Sequence, residues 1–277
     1  MLKQRIITGV IMAGLFVAAI AFLPVPALAA LFALMVALGG WEWARLAGWQ
    51  AVPARILFVL VVLGGVAALY LYTGLDVAPV RESVQPFVGL ACLWWSIALL
   101  WVKGYPGSAV LWRNRAMRSL MGLLVLVPAW LAAVYLLSLP RGGVIVVVMI
   151  LAVVVADIGA YFSGRQFGKH KLAEHVSPAK TWEGFWGGVV CCTVLAVLVW
   201  YFLPERYAVS LPAVIVVVVA TALASVVGDL TVSMVKRESG VKDSGSLLPG
   251  HGGILDRLDS ICGAAPVFTL GLMLGGW

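Results

Sequence analysis

The sequence predicts an all-α, polytopic integral membrane protein of about nine transmembrane helices with a cytoplasmic N-terminus, and three observations carry that prediction. Hydrophobic residues make up 63% of the 277-residue chain and charged residues only 11%, too few polar side chains to cover a soluble domain of this size. The apolar residues fall in long runs close to bilayer-spanning length. The basic residues, finally, sort to one side of an alternating topology.

The spans run at about 6–23, 25–40, 56–73, 86–102, 119–138, 144–162, 185–203, 212–228 and 260–277. The second and eighth are short or interrupted by Pro and Gly. Segments 144–155 and 214–219 are rich in Val and Ile, which alone suggests strands. An open sheet in lipid leaves backbone groups unsatisfied, so length and setting favour helix. The first span follows a basic Met1–Arg5, and Ala27-Leu28-Ala29 resembles a signal cleavage site. Its apolar run is nevertheless longer than a signal core and leads straight into another, so it reads as an uncleaved span. No lipidation motif or transit peptide is apparent.

With the N-terminus inside and nine spans, Lys3, Arg5, Arg45, Arg55, Lys103, Arg113, Arg115, Arg118, Arg165, Lys169, Lys171, Lys180, Lys236, Arg237, Lys242 and Arg257 fall on the cytoplasmic side. Only Arg81, Arg141 and Arg206 fall outside, so 16 of the 19 basic residues obey the positive-inside rule. Adding or dropping one span destroys this partition. The net charge of +7 is then topological or faces anionic headgroups, and no soluble basic domain exists to take a nucleic acid. Cys92, Cys191, Cys192 and Cys262 lie within spans with no metal-ligand spacing and read as small buried apolar residues.

The chain divides into an N-terminal transmembrane bundle, 1–140, and a C-terminal region, 141–277, that carries two long polar segments. In the first half the loop charges look topological, and Trp41-Glu42-Trp43-Ala44-Arg45-Leu46 reads as an interfacial anchor. In the second half the first polar segment runs from Asp157 through Gly164, Arg165 and Lys169 to Ser177-Pro178-Ala179-Lys180-Thr181-Trp182-Glu183-Gly184. Asp157 sits inside an apolar helix, about one to one and a half turns from its end, where an ionised carboxylate is expensive. It either pairs with a nearby base such as Arg165 or forms a metal or cation site at the membrane border, and the second reading is preferred. Ser177, Lys180 and Thr181 at a helix start suit an anion, or Ser177 or Thr181 serves as an ordinary N-cap with Glu183 in the first turn. Both roles are compatible. The segment lacks the Walker A spacing and is not a P-loop.

The second polar segment runs from Gly228 and Asp229 through Ser233, Lys236, Arg237, Lys242 and Asp243 to Pro249-Gly250-His251-Gly252-Gly253-Ile254-Leu255-Asp256-Arg257-Leu258-Asp259. If the eighth helix continues past 228, Asp229, Ser233, Lys236 and Arg237 share one face. Asp256 and Asp259 share a face at the start of the last helix. Three carboxylates at two helix ends make a hard-oxygen set of the kind Mg²⁺ prefers. Lys236, Arg237, Lys242 and Arg257 can neutralise phosphate oxygens, and the glycines between them let backbone N–H groups approach a ligand. Because Lys236, Arg237 and Lys242 lie beyond the hydrocarbon core, removing any one is expected to affect stability little.

At these residues the chain resembles the phosphatidate cytidylyltransferase family (CDP-diacylglycerol synthases). That family's signature, S-x-x-K-R-x4-K-D followed by P-G-H-G-G-x-x-D-R-x-D, is met by Ser233, Lys236, Arg237, Lys242, Asp243, Pro249 to Gly253, Asp256, Arg257 and Asp259. An upstream block, D-x-G-A-Y with G-R and S-P-x-K-T-x-E-G, is met by Asp157 to Tyr161, Gly164, Arg165 and Ser177 to Gly184. Ile158 stands where members often carry a small hydroxyl residue. The close match covers about 157–260; the earlier spans agree mainly in hydropathy.

The resemblance implies the reaction of CTP with phosphatidic acid to give CDP-diacylglycerol and pyrophosphate, a requirement for Mg²⁺, a role in phospholipid synthesis and a homodimer. It assigns Asp229 and Asp256 to the metal. Asp259 and Asp157 are then supporting acids or ligands of another cation. Lys236, Arg237, Lys242 and Arg257 take the triphosphate and leaving pyrophosphate, and His251 either hydrogen-bonds pyrophosphate or shapes the glycine-rich loop. Ser177, Lys180, Thr181, Glu183, Arg165, Ser233, Asp243, Gly250, Gly252 and Gly253 complete the expected substrate site. That site faces the cytoplasm from a bacterial-type inner membrane, where it meets both the soluble nucleotide and the membrane lipid. Two other readings are a secondary transporter of a phosphorylated solute, which would place ionisable groups near the midplane, and another CDP-lipid-handling transferase, which should lack the His-Gly-Gly block.

Overall fold

The computed structural model describes residues 14–75, 81–203, 209–247 and 252–276. Residues 14–22 form a helix, α1. It is followed by α2 (Val25–Leu46), α3 (Val52–Tyr72), α4 (Arg81–Gly104), the single-turn α5 (Ala109–Trp112), α6 (Arg115–Ser138) and α7 (Gly142–Phe167). A two-stranded hairpin, β1 (Lys171–Ala173) and β2 (Ser177–Thr181), interrupts the helices before α8 (Trp182–Phe202), α9 (Leu211–Glu238) and α10 (Leu255–Leu274). Among the described residues eight helices are long and apolar enough to cross a membrane. They correspond to the second to ninth expected spans, and the Val- and Ile-rich segments are helical. Of the first expected span, residues 6–13 lie outside the described residues and the remainder is α1.

Local chemistry sets the helix starts. Pro occupies the first turn of α2, α3 and α9, where its missing N–H breaks no intrahelical bond. Asn114 caps α6 by accepting from Met117 N at 2.8 Å, and Ser210 caps α9. The two spans that looked short are not. α2 is an unbroken 22-residue helix and α9 an unbroken 28-residue one. Gly228 does not break α9 because it is a contact point: a Cβ there would strike the Asp259 carbonyl on α10 and approach Gly263 N to 3.1 Å. Backbone packs on backbone, as small residues permit between helices in lipid.

α6 is the central column, with Met121, Val125, Leu126, Leu131 and Leu136 fully buried. α10 inserts among α2, α4 and α6 while also lying along α9, so the C-terminal helix is embedded in the N-terminal bundle. α7 and α8 form a second glycine-lined pair, in which a Cβ on Gly188 would approach the Ala156 carbonyl to 2.8 Å. Cys192 and Cys262 are buried as expected, whereas Cys92 and Cys191 are only partly so.

Candidate active site

The site is assembled where α7, α8, α9, α10 and the hairpin meet at one end of the bundle. The continuation of α9 through Glu238 puts Asp229, Ser233, Lys236 and Arg237 on one helical face, and Ser233 Oγ donates to Asp229 Oδ1 at 3.1 Å. Across from them, at the start of α10, Asp256 Oδ1 pairs with Lys236 Nζ at 2.8 Å. The Asp256 carboxylate also accepts from Ser244 N at 3.0 Å and Gly253 N at 2.9 Å. Gly252 has φ +81°, and a Cβ on it would lie 2.8 Å from Asp256 Oδ2. A side chain there would be strained by the left-handed backbone and would press on the carboxylate.

The Lys236–Asp256 pair is enclosed, with side chains 9% and 8% exposed. This corrects the expectation that Lys236 is a surface base of little structural consequence. It is a buried partner whose loss strands a carboxylate.

The part of the first polar segment that precedes α8 forms the hairpin, paired antiparallel with Lys171 opposite Thr181 and Ala173 opposite Ser177. The hairpin delivers Lys180 to α9, where its Nζ meets Asp229 Oδ2 at 2.6 Å. Thr181 caps α8 by accepting from Gly184 N at 3.1 Å, while Ser177 lies in β2, away from the cap position. Glu183 turns toward the hairpin. It accepts from Lys169 N at 3.1 Å and lies 2.6 Å from His170 Nδ1, and so ties the chain entering β1 to the start of α8. Arg237 donates from Nε to Val176 O at 3.2 Å and from Nη1 to Val241 O at 3.5 Å. It thereby staples α9 to the hairpin, a role beyond the phosphate contact expected of it.

Asp157 and Asp259 complete the acidic set. α7 continues to Phe167, so Asp157 stands about three turns from the helix end rather than one. Its electrostatic neighbours are Lys180 and Asp229, and Arg165 instead donates to Tyr161 Oη at 3.4 Å. Asp259 is 7% exposed, accepts from Ser260 N at 2.8 Å, and lies in the field of Asp229, Lys236 and Asp256. Acids and ammonium groups thus alternate from α7 to α10. Among the described residues no three His, Cys, Asp or Glu side chains stand together as a ligand array, and Lys180 and Lys236 sit against the carboxylates. Lys242, Asp243 and Arg257 are exposed at the margin. Gly250 and His251 lie outside the described residues.

Sequence reasoning missed Glu42. Its run was read as an interfacial anchor, yet Glu42 is 3% exposed and Trp43 fully buried. The Glu42 carboxylate accepts from Ser244 Oγ at 2.7 Å, Leu255 N at 2.9 Å and Ile254 N at 3.1 Å. The bases nearby are not merely topological either. Arg45 Nη2 donates to Ser244 O at 2.6 Å, and Arg118 Nη1 donates to Leu46 O at 3.0 Å and Ser239 Oγ at 3.3 Å. α2 runs to Leu46, past the expected end of its span at 40, so Glu42, like Asp157, is an acid within a membrane helix, and such residues are functional candidates by default.

A bilayer-spanning helical bundle with an acid–lysine cluster of this kind has the make-up of a membrane enzyme or carrier. The chain belongs to the Cytidylyltransferase family, which it matches over residues 3–274. It is 43% identical over 278 residues to a phosphatidate cytidylyltransferase of Pseudomonas aeruginosa, covering all of this chain and 99% of that one. It is 42% identical over 287 residues to the enzyme of the same name from Haemophilus influenzae, covering 97% and 98% of the two chains. With the Mycobacterium leprae phosphatidate cytidylyltransferase the similarity, 42% identity over 144 residues, covers 51% of this chain and 45% of that one.

Proposed function

We infer that this protein is a phosphatidate cytidylyltransferase, converting CTP and phosphatidic acid to CDP-diacylglycerol and pyrophosphate in phospholipid synthesis. The observation that carries the site assignment is the convergence of Asp229, Lys180, Lys236 and Asp256, drawn from three separate elements, at one end of the bundle. Full-length similarity to enzymes named for this reaction favours catalysis over a carrier.

The lipid phosphate is already anionic near neutral pH, so the reaction needs no strong general base. One of its oxygens attacks the α-phosphorus of CTP. The new P–O bond forms as the bond to the β-phosphate breaks, and pyrophosphate leaves with the electron pair. The protein's task is to bring two polyanions together in line and neutralise developing charge. Lys180 and Lys236 are the ammonium groups at the centre, with Lys242 and Arg257 at the margin. Arg237 keeps a planar fork of five N–H donors, of which the two bonds to Val176 and Val241 use only part. It can serve the hairpin and a phosphate at once.

The donor chemistry fits a hard divalent cation. Asp157, Asp229, Asp256 and Asp259 set four carboxylates against the two ammonium groups of Lys180 and Lys236, a formal excess of two negative charges. Asp229 and Asp256 would hold Mg²⁺ in exchange for their lysine contacts, with Asp259 and Asp157 supporting them or holding another cation. Bound there, Mg²⁺ would neutralise phosphate oxygens.

The site faces the cytoplasm of a bacterial inner membrane in this reading, as the distribution of basic residues supports. CTP arrives from water while the lipid keeps its tails in the bilayer. The family resemblance adds a homodimer, which cross-linking in native membranes would detect as a doubled mass. Incubating purified protein with radiolabelled CTP and phosphatidic acid in mixed micelles tests the activity. Label entering lipid only when both substrates and Mg²⁺ are present is the expected result, and no label in lipid would overturn the assignment.

A further inference from the structure

Glu42 and Asp256, more than two hundred residues apart, hold the same piece of chain from opposite sides. Ser244 joins them directly: its N–H donates to Asp256 at 3.0 Å and its hydroxyl to Glu42 at 2.7 Å. On the far side of the glycine-rich loop, Gly253 N binds Asp256, and the next two N–H groups, Ile254 and Leu255, bind Glu42. Both ends of the loop are therefore gripped by one acid from α2 and one from α10. A Cβ on Gly245 or on Gly253 would collide with the Glu42 carboxylate, so a side chain at either place would force Glu42 out of its present position. Arg45, one turn along α2, completes the grip with the opposite charge by donating to Ser244 O at 2.6 Å and Asp243 O at 3.3 Å. The acid takes N–H and O–H donors while the base takes carbonyls of the same short stretch.

An interfacial anchor needs none of this. A carboxylate 3% exposed is expensive to desolvate unless its hydrogen bonds are made. Here the donors come from the loop and from the first N–H groups of α10, where the helix dipole also favours an anion.

We propose that Glu42 is a positioning residue for the transfer reaction: through Ser244 and the first turn of α10 it fixes the direction of the Asp256 carboxylate, and so sets how well that acid holds a divalent cation. The N-terminal bundle thereby contributes to a site whose reacting groups all come from the C-terminal half. The inference rests on the reading of Asp256 as a cation-holding acid. Partners that orient metal ligands typically influence affinity or activity by 10- to 100-fold.

The test compares full-length Glu42→Gln, Ser244→Ala and Asp256→Asn in detergent by three readings. They are the melting temperature without ligand, kcat and KM for CTP, and Mn²⁺ binding to the substrate-free protein followed by electron paramagnetic resonance. Glu42→Gln keeps the side chain's size but sets an NH₂ group against the remaining donors. It is expected to weaken Mn²⁺ binding about tenfold or more and to lower kcat by a similar factor, with KM for CTP changed less. Ser244→Ala, which removes one hydroxyl and leaves the bonds to Ile254 and Leu255, is expected to move the same readings in the same direction by a smaller factor. If Glu42→Gln does not fold, Ser244→Ala decides by itself. A lower melting temperature with unchanged Mn²⁺ affinity and kcat would mean that Glu42 only supports the fold, and would overturn the proposal. Should Asp256→Asn itself bind Mn²⁺ and turn over normally, the underlying site assignment fails instead.

Discussion

Replacing Lys236 by Met tests the interior of the site most directly. Met keeps most of the stem that packs beside α10 and removes only the charge. The ammonium it deletes is enclosed, 9% exposed, and 2.8 Å from an Asp256 carboxylate that is 8% exposed. Breaking one side of such a buried pair typically destabilises by about 3–5 kcal/mol, because the surviving charge is left without a counter-ion. Asp256 still accepts from Ser244 N and Gly253 N, so the lower end, about 3 kcal/mol, is expected. For a chain of this size that corresponds to a melting temperature lower by roughly 6–12 °C. Adding Asp256→Asn removes the stranded charge, and the double variant should recover a good part of the loss while remaining inactive. Thermal unfolding of the four proteins in one detergent gives the complete cycle. A Lys236→Met protein that melts with the wild type, or a double variant no more stable than the single one, would refute the claim that this pair is buried and coupled.

Other consequences follow from the same geometry. Asp229→Asn should abolish CTP incorporation yet leave the melting temperature within a few degrees, because its pair with Lys180 is only half-enclosed, at 28% and 25% side-chain exposure; normal turnover at limiting Mg²⁺ would remove Asp229 from the metal site. Arg237→Ala should lower kcat/KM for CTP by roughly two orders of magnitude, Arg237→Lys should recover part of this, and Arg113→Ala should stay within a few-fold of normal. Equal losses at Arg113 and Arg237 would mean the nucleotide site is elsewhere. In a cysteine-free background, cysteines at His170 and Lys242 should react with a membrane-impermeant reagent only from the cytoplasmic side, and one at Ser210 only from the opposite side. Reaction of positions 170 and 242 from different sides would break both the topology and the shared site.

Composition and patterning by themselves decided that this chain is a bundle of membrane helices. Lipid offers backbone groups no hydrogen-bonding partner, so long apolar runs have little choice but helix, even where Val and Ile dominate. The spacing of Asp229, Ser233, Lys236 and Arg237 likewise anticipated their common face, since a helix repeats every 3.6 residues whatever surrounds it. Tertiary structure decided what those residues touch. That Lys180 meets Asp229 depends on a five-residue strand whose pairing is not written in its own residues. That Lys236 is buried depends on α10 lying close enough to α9 for backbones to touch at Gly228 and Gly263. That Glu42 belongs to the site depends on α10 inserting beside α2, bringing residue 42 against residues 244 to 255. Periodicity reports which way a side chain points from its own helix. Only the packing of one helix on another determines which charge, donor or carbonyl waits at the other end.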